Sequence, residues 1–201
     1  MRIGVLGGTF DPVHLGHLVL AETAREQLAL DLVLFSPAGQ PWRKAHRVIT
    51  PAEQRLGMLR LALEGSGFAI SELEVDRDGP SYTADTLEEL ARQHAGAELF
   101  FVLGYDALLD LPNWSRPERI LKLASLAVAA RRPEDVDVAS LGSTLPGRGE
   151  RGVMLEMPYL EISSSDLRQR AREGRSLRFL VPPAVEAYIR ENGLYRDTPA
   201  D

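Results

Sequence analysis

The chain opens with Met1-Arg-Ile-Gly-Val-Leu-Gly-Gly-Thr-Phe-Asp-Pro-Val-His-Leu-Gly-His17, which predicts a strand, a glycine turn and a helix. The apolar run stops at Gly7-Gly8, as a buried strand followed by a tight turn does. Apolar residues then recur at helical spacing from about His14. Glycines let a backbone approach a ligand closely, and a helix start offers free N–H groups to an anion. The stretch therefore predicts a phosphate site.

Two histidines belong to this predicted site. His14 and His17 are three residues apart, so they share a helix face and can point at the same anion. A Walker loop is excluded because Gly16 is followed by a histidine instead of lysine and Ser/Thr. A zinc site is disfavoured because zinc usually takes three or four ligands and the chain has no cysteine. A buried histidine pair with a purely structural role is the alternative.

Length and charge limit the function classes. The 201 residues predict a single domain, 1–201, and the net charge of −6 argues against a non-specific nucleic-acid binder. No apolar run reaches the about 18 residues of a membrane span, and the N-terminal residues already read as a core strand instead of a signal peptide. The absence of cysteine excludes disulfides and thiol catalysis. We expect a cytoplasmic enzyme.

Strands and helices alternate along the rest of the chain. This order predicts an α/β fold with a doubly wound parallel sheet and a small C-terminal helical part, 160–195. A capping box at Thr50-Pro51-Ala52-Glu53 predicts a helix start, and residues 68–76 predict a strand whose acidic face, including Glu74, is exposed to solvent. Strands are predicted at 32–35, 68–76, 98–104, 126–130 and 153–155, helices after 50, 81, 115, 163 and 182, and a surface connection at 132–152.

A second helix start has phosphate-binding character. In Ile162-Ser-Ser-Ser-Asp-Leu-Arg168, Ser163 is the predicted N-cap, with Asp166 three residues further on. Backbone N–H groups, hydroxyls and Arg168 would then stand together, which suits phosphate oxygens. A plain capped surface helix is the alternative.

These motifs resemble a known family. Gly7-Gly-Thr-Phe-Asp-Pro-x-His-x-Gly-His17 is similar to the signature of nucleotidyltransferases with a His-x-Gly-His motif, and Ile162-Ser-Ser-Ser-x-x-Arg168 to the second motif of its adenylyltransferases. The family usually has threonine at Ser165. The middle and end of the chain resemble bacterial nicotinate-nucleotide adenylyltransferases, in Ser81-Tyr-Thr-x-Asp-Thr86, Gly104-x-Asp106-x-Leu108, Leu111-Pro-x-Trp114, Arg132-Pro133, Val181-Pro-x-x-Val-x-x-Tyr188-Ile and Leu194-Tyr195. One departure is Trp42-Arg43-Lys44, where many members read Pro-His before the basic residue.

The resemblance implies a Rossmann-like nucleotidyltransferase fold and a reaction in NAD biosynthesis. ATP and nicotinate mononucleotide would give deamido-NAD and pyrophosphate, with Mg²⁺ carried by ATP and no metal ligand from the protein. The implied catalytic residues are His14, His17, Lys44 and Arg168. The implied ATP site comprises Gly7, Gly8, Thr9, Phe10, His14, Gly16, His17, Gly104, Asp106, Ser164, Ser165 and Arg168, and the implied acceptor site Lys44, Thr83, Trp114 and Arg132. Trp114 would stack on the pyridine ring or, alternatively, plug the core.

The residue types agree with such a reaction. A phosphate monoester is already ionised at neutral pH, so catalysis needs alignment and charge neutralisation more than a general base. The expected partners are small molecules, without nucleic acid or membrane; a homo-oligomer is left open. The rival interpretations are a pantetheine-phosphate adenylyltransferase or a cytidylyltransferase of the same superfamily, and a nucleotide-sensing protein on this fold. The intact His14, His17 and Arg168 argue against the sensor.

Overall fold

A computed structural model of the chain describes residues 1–40, 49–129 and 152–196. In these ranges a six-stranded sheet has the order β3-β2-β1-β4-β5-β6, and every neighbouring pair is parallel. The strands are β1 Arg2–Gly8, β2 Leu32–Pro37, β3 Ala69–Ile70, β4 Glu98–Gly104, β5 Ala124–Ala129 and β6 Gly152–Leu155. The helices are α1 Leu15–Gln27, α2 Ala52–Leu63, α3 Thr83–Gln93, α4 Tyr105–Asp110, α5 Pro117–Leu123, α6 Ser164–Arg172 and α7 Pro183–Glu191.

The strand order confirms the predicted doubly wound sheet. From β1 the chain builds outward through β2 and β3, then returns to place β4 on the other side of β1. The order therefore reverses between β1 and β4, and open α/β sheets bind ligands at the carboxyl ends of strands at such a point. Gly8 ends β1 and Gly104 ends β4, so both lie at this edge.

Helices cover both faces of the sheet, which explains the nearly continuous apolar strands. Successive side chains of a strand point to opposite faces, so Leu99 and Phe101 join one core cluster while Phe100 and Val102 join the other. The second of these clusters also contains Leu167 of α6 together with Val185 and Ile189 of α7. The C-terminal helices are thus packed on the same core as the N-terminal phosphate loop. Within the described ranges, none of the helices has the length and apolar character needed to cross a membrane.

Two local predictions are wrong. The strand predicted over 68–76 covers only Ala69–Ile70, because the chain turns at 73–75. Glu74 is buried instead of facing solvent, with 7% of its surface exposed, and accepts a hydrogen bond from Thr86 Oγ1 at 2.9 Å. Burial raises the pKa of its carboxyl group.

The second correction concerns the start of α2. The helix begins at Ala52 with Pro51 as its N-cap, and no side chain caps it, so the capping box from Thr50 does not form. The Thr50 carbonyl instead accepts a hydrogen bond from Arg55 Nε at 2.9 Å. The helix α4, Tyr105–Asp110, was not predicted, and the other strands and helices were predicted to within a few residues. The predicted connection at 132–152 lies outside the described residues except for Gly152, which begins β6.

Candidate active site

The phosphate loop joins β1 to α1 at the sheet edge described above. It turns through Phe10, whose φ is 50°, and the Asp11–Pro12 peptide bond is cis. The Phe10 ring is buried and contacts His17 edge to face, with 5.0 Å between ring centroids. His14 is the N-cap of α1, so the loop ends at the positive end of the helix dipole. In the first turn, the Leu15 N–H donates to the Leu180 carbonyl at 3.0 Å and the His17 N–H to the His14 carbonyl at 2.9 Å.

The two histidines form a stacked pair. Their ring centroids are 3.7 Å apart, and the His14 backbone N–H donates to His17 Nδ1 at 3.2 Å. A neutral His17 that accepts at Nδ1 carries its proton on Nε2, so Nε2 is a hydrogen-bond donor. Gly16 leaves room for the His14 ring, because a Cβ at this position would make a tight contact of 3.1 Å with it. The local structure therefore selects the tautomer of His17.

Burial keeps His14 neutral. Only 6% of its surface is exposed, and burial lowers the pKa of its imidazole from 6.5 to about 4. Its Nδ1 atom has no hydrogen-bond partner among the described residues. At neutral pH, His14 is thus an uncharged polar group next to the loop.

The start of α6 lies directly against the phosphate loop. Ser163 is its N-cap, as predicted, and accepts from the Asp166 backbone N–H at 3.1 Å. Ser164 Oγ donates to the Pro12 carbonyl at 3.0 Å. Arg168 donates from one terminal nitrogen to the Asp11 carbonyl at 2.7 Å and from the other to Ser165 Oγ at 3.2 Å. These bonds bring the two predicted phosphate motifs together although they are about 150 residues apart in sequence.

A cavity of about 430 Å³ lies between the two helix starts. Most of the predicted site residues line it, and so do residues 157–160, which the sequence did not indicate. The predicted residues on its wall are Gly7, Gly8, Thr9, Phe10, His14, Gly16, His17, Gly104, Trp114, Ser164, Ser165 and Arg168. The roles given to them by resemblance stay predictions.

Two predicted residues within the described ranges are not among those that line the cavity. Thr83 is the first residue of α3, as predicted, and Asp106 lies in the first turn of α4 next to Gly104. Neither contributes to the wall of this cavity. Lys44 and Arg132 lie outside the described residues.

Trp114 lies between the core and the cavity. Its ring meets Phe101 edge to face with 5.9 Å between centroids, and its Nε1 donates to Asp110 Oδ2 at 3.2 Å. The indole is only partly buried and lines the cavity. This position is compatible with stacking on a ligand.

Three polar residues around the site were missed. Tyr195 donates from its hydroxyl to Asp11 Oδ1 at 2.8 Å, and burial raises the pKa of Tyr195. Arg55 is buried beneath the loop and donates to the Thr9 carbonyl at 2.9 Å. One signal for Arg55 was available, because it is four residues before Leu59 and therefore on the apolar face of α2. Asp11 and Tyr195 were inside recognised motifs, but nothing local indicated that they contact each other.

Comparison with known proteins shows the family to which the chain belongs. The family description "Cytidylyltransferase-like" matches residues 5–170. A protein of Thermomicrobium roseum named "Probable nicotinate-nucleotide adenylyltransferase" is 48% identical over 200 residues, covering 99% of this chain and 94% of the relative. A protein of Thermus thermophilus with the same name is 46% identical over 198 residues, covering 98% of this chain and 100% of the relative.

Solved structures share the fold. Plasmodium falciparum nicotinic acid mononucleotide adenylyltransferase complexed with NaAD has a TM-score of 0.81 and 19% identity, covering 96% of this chain and 97% of the other. The same protein complexed with APC has a TM-score of 0.79 and 19% identity, with 96% of each chain covered. The fold and the paired helix starts define a cytidylyltransferase-like nucleotidyltransferase. Within that class, the chain belongs to the family of nicotinate-nucleotide adenylyltransferases.

Proposed function

We propose that this protein transfers the adenylyl group of ATP to nicotinate mononucleotide, giving deamido-NAD and pyrophosphate in NAD biosynthesis. Family membership supports the choice of substrates. The observation that carries the proposal is the convergence of two helix starts on one cavity, with His14 and His17 from one and Arg168 from the other. The positive ends of two helix dipoles suit a substrate with several phosphates.

Hydrogen-bond donors of the site would stabilise the negative charge that develops on the leaving pyrophosphate. His17 presents Nε2–H, since its Nδ1 is occupied by the His14 backbone N–H. A donor fixed in this way can strengthen its hydrogen bond as charge moves onto the oxygen that bridges the α- and β-phosphates. Its orientation is set before the substrate arrives, which avoids a reorganisation cost during the reaction.

The acceptor needs no general base. The second pKa of a phosphate monoester is about 6, so the mononucleotide is a competent anion at neutral pH. The main obstacle is repulsion between two polyanions, which the permanent charge of Arg168 and the two helix starts reduce. Mg²⁺ carried by ATP would lower this repulsion further, and Lys44 is proposed to meet a phosphate. Direct in-line attack at the α-phosphorus then completes the transfer.

The roles proposed around the adenosine and the pyridine nucleoside rest on fewer contacts. Trp114 lines the cavity and is proposed to stack on the pyridine ring, while Gly104 and Asp106 are proposed to bind the adenosine ribose. Thr83 at the start of α3 is proposed to receive the nicotinate carboxylate, because free N–H groups bind anions there. Arg132 is proposed as a further acceptor contact.

Two broader features are part of the proposal. We propose that residues 1–201 form one nucleotidyltransferase domain whose C-terminal helical part, 160–195, carries the second phosphate motif. We also propose a cytoplasmic location, in keeping with a biosynthetic role.

A substrate panel tests the proposed function. The purified protein is incubated with MgATP and, separately, with nicotinate mononucleotide, nicotinamide mononucleotide and pantetheine phosphate, and products are identified by mass. We expect deamido-NAD and pyrophosphate, with the acid preferred over the amide by about a hundredfold in kcat/KM, because the amide offers no charge to the α3 start. Dephospho-coenzyme A as the main product, or ATP binding without pyrophosphate release from any acceptor, would contradict the proposal.

A further inference from the structure

Arg55 is a buried cation that the proposed chemistry does not use. Only 1% of its surface is exposed, and each nitrogen group of its guanidinium donates to a different main-chain carbonyl. Nε donates to Thr50 at 2.9 Å, one terminal nitrogen to Thr9 at 2.9 Å and the other to Gly39 at 3.1 Å. Among the described residues, no hydrogen bond from Arg55 reaches a carboxylate.

A charge in this environment is costly. Burial lowers the pKa of Arg55, and the negative charge of Asp11 opposes that effect only in part. Carbonyl acceptors compensate a buried guanidinium less than a bidentate carboxylate would. A residue that only filled space could be apolar here. The charge of Arg55 and its hydrogen bonds in three directions therefore point to a role in fixing the backbone geometry.

The three carbonyls belong to segments that serve different parts of the site. Thr9 is in the phosphate loop and lines the cavity. Gly39 follows β2, and its backbone N–H donates to Ser81 Oγ at 3.0 Å, two residues before α3 begins. A Cβ on Gly39 would lie 2.1 Å from the Glu74 carbonyl oxygen, so this segment is closely packed. Arg55 therefore connects the ATP loop, through Gly39 and Ser81, to the start of α3.

We propose that Arg55 is a positioning residue that sets the phosphate loop relative to the start of α3, and so aligns ATP with the acceptor nucleotide. This inference rests on the proposed function, in which the start of α3 receives the nicotinate carboxylate. In-line transfer between two bound substrates is sensitive to such alignment, because a displacement of about 1 Å can cost about a hundredfold in rate.

The informative substitution is Arg55→Lys. Lysine keeps a positive charge and a similar length, but its ammonium is a single point that cannot reproduce the planar fork toward three carbonyls. We expect kcat for deamido-NAD formation to fall by about 10- to 100-fold, while the dissociation constant for MgATP alone changes by less than about threefold. Reaction rates and ATP titrations are measured well below the melting temperature of every variant.

Two control variants separate positioning from stability. Arg60→Lys alters an exposed arginine of the same helix that pairs with Glu72, and it should leave kcat unchanged. Leu63→Ala removes a buried side chain from the far end of α2 and should lower the melting temperature with kcat retained. Two results would overturn the proposal. One is a kcat of Arg55→Lys within twofold of the wild type. The other is a decrease in kcat no larger than that of Leu63→Ala when the two variants have equal melting temperatures.

Ser81→Ala gives a second test that does not depend on Arg55→Lys folding. It removes the acceptor of the Gly39 N–H and should lower kcat several-fold with unchanged affinity for MgATP; unchanged kcat would overturn the connection. The wild type must form deamido-NAD in the same assay. If it uses another acceptor, the proposed function fails, and the Arg55 comparison is made with that acceptor instead.

Discussion

Acid should destabilise the folded protein through His14. Burial lowers the pKa of this imidazole from 6.5 to about 4, so the folded protein keeps His14 neutral where the unfolded chain takes up a proton. The free energy of unfolding should therefore fall as the pH is lowered from about 6.5 to about 4. Below pH 4 both states bind the proton, and His14 contributes no further change.

The magnitude follows from the two pKa values. A tenfold difference in proton affinity corresponds to about 1.4 kcal/mol, so the drop from 6.5 to about 4 corresponds to about 3 kcal/mol of stability. That is a large fraction of the 5–15 kcal/mol typical of a whole domain, so on the order of a third of the stability could disappear over this pH range. Relaxation around the ring would make the observed loss smaller.

His14→Asn isolates this contribution. Asparagine is a good N-cap residue and does not titrate, so the start of α1 should persist. Urea unfolding of both proteins between about pH 7 and pH 4 should show the wild type losing up to about 3 kcal/mol more than the variant. NMR titration of the His14 ring should show the neutral form down to about pH 5. Parallel stability curves, or a ring that titrates near 6.5, would refute the reasoning.

Three further substitutions test the account. His17→Ala should lower kcat by about 10²–10³ with a smaller effect on ATP affinity, because it removes an oriented donor, and near-normal turnover in a folded variant would remove His17 from the mechanism. Trp114→Ala should weaken mononucleotide binding by about 1–3 kcal/mol and leave ATP binding nearly unchanged, and a lower melting temperature with both affinities reduced would show a core role instead. Glu74→Gln should remove a pH dependence of the free energy of unfolding that is opposite in sign to the one caused by His14. Because burial raises the pKa of Glu74 above its usual 4.5, the wild type should lose stability relative to this variant as the pH rises above about 4.5, and a constant difference in urea unfolding would speak against it.

Much of the fold was predictable because its strands are buried on both faces. Continuous apolar runs such as residues 99–103 leave few alternatives, and a glycine turn marks the end of β1. The 68–76 segment misled because alternating leucine and acidic residues imitate a half-exposed strand. Glu74 is buried and accepts a hydrogen bond from the hydroxyl group of Thr86, and no local sequence pattern indicates that these two residues are in contact.

The site was predictable where motifs coincide with helix starts. The motifs that end at His17 and Arg168 each contain the turn or cap residue of their own helix start. The fold places the two motifs next to each other. Arg55 could not be assigned in this way, because its acceptors are main-chain carbonyls such as that of Gly39, and any residue type supplies a carbonyl. Thr83 was placed at the correct helix start, whereas the helix that contains Asp106 was not predicted. The contacts of both residues with a substrate stay predictions.

The most direct test of the account is the stereochemistry at the α-phosphorus. The central claim is that ATP and the mononucleotide react directly while both are bound, with His14 and His17 as hydrogen-bonding groups and not as nucleophiles. ATP with a chiral sulfur at the α-phosphorus is converted with nicotinate mononucleotide, and the configuration of the dinucleotide product is determined by ³¹P NMR. The account predicts inversion, as one in-line displacement requires. Net retention, together with an adenylyl group trapped on either histidine, would contradict it.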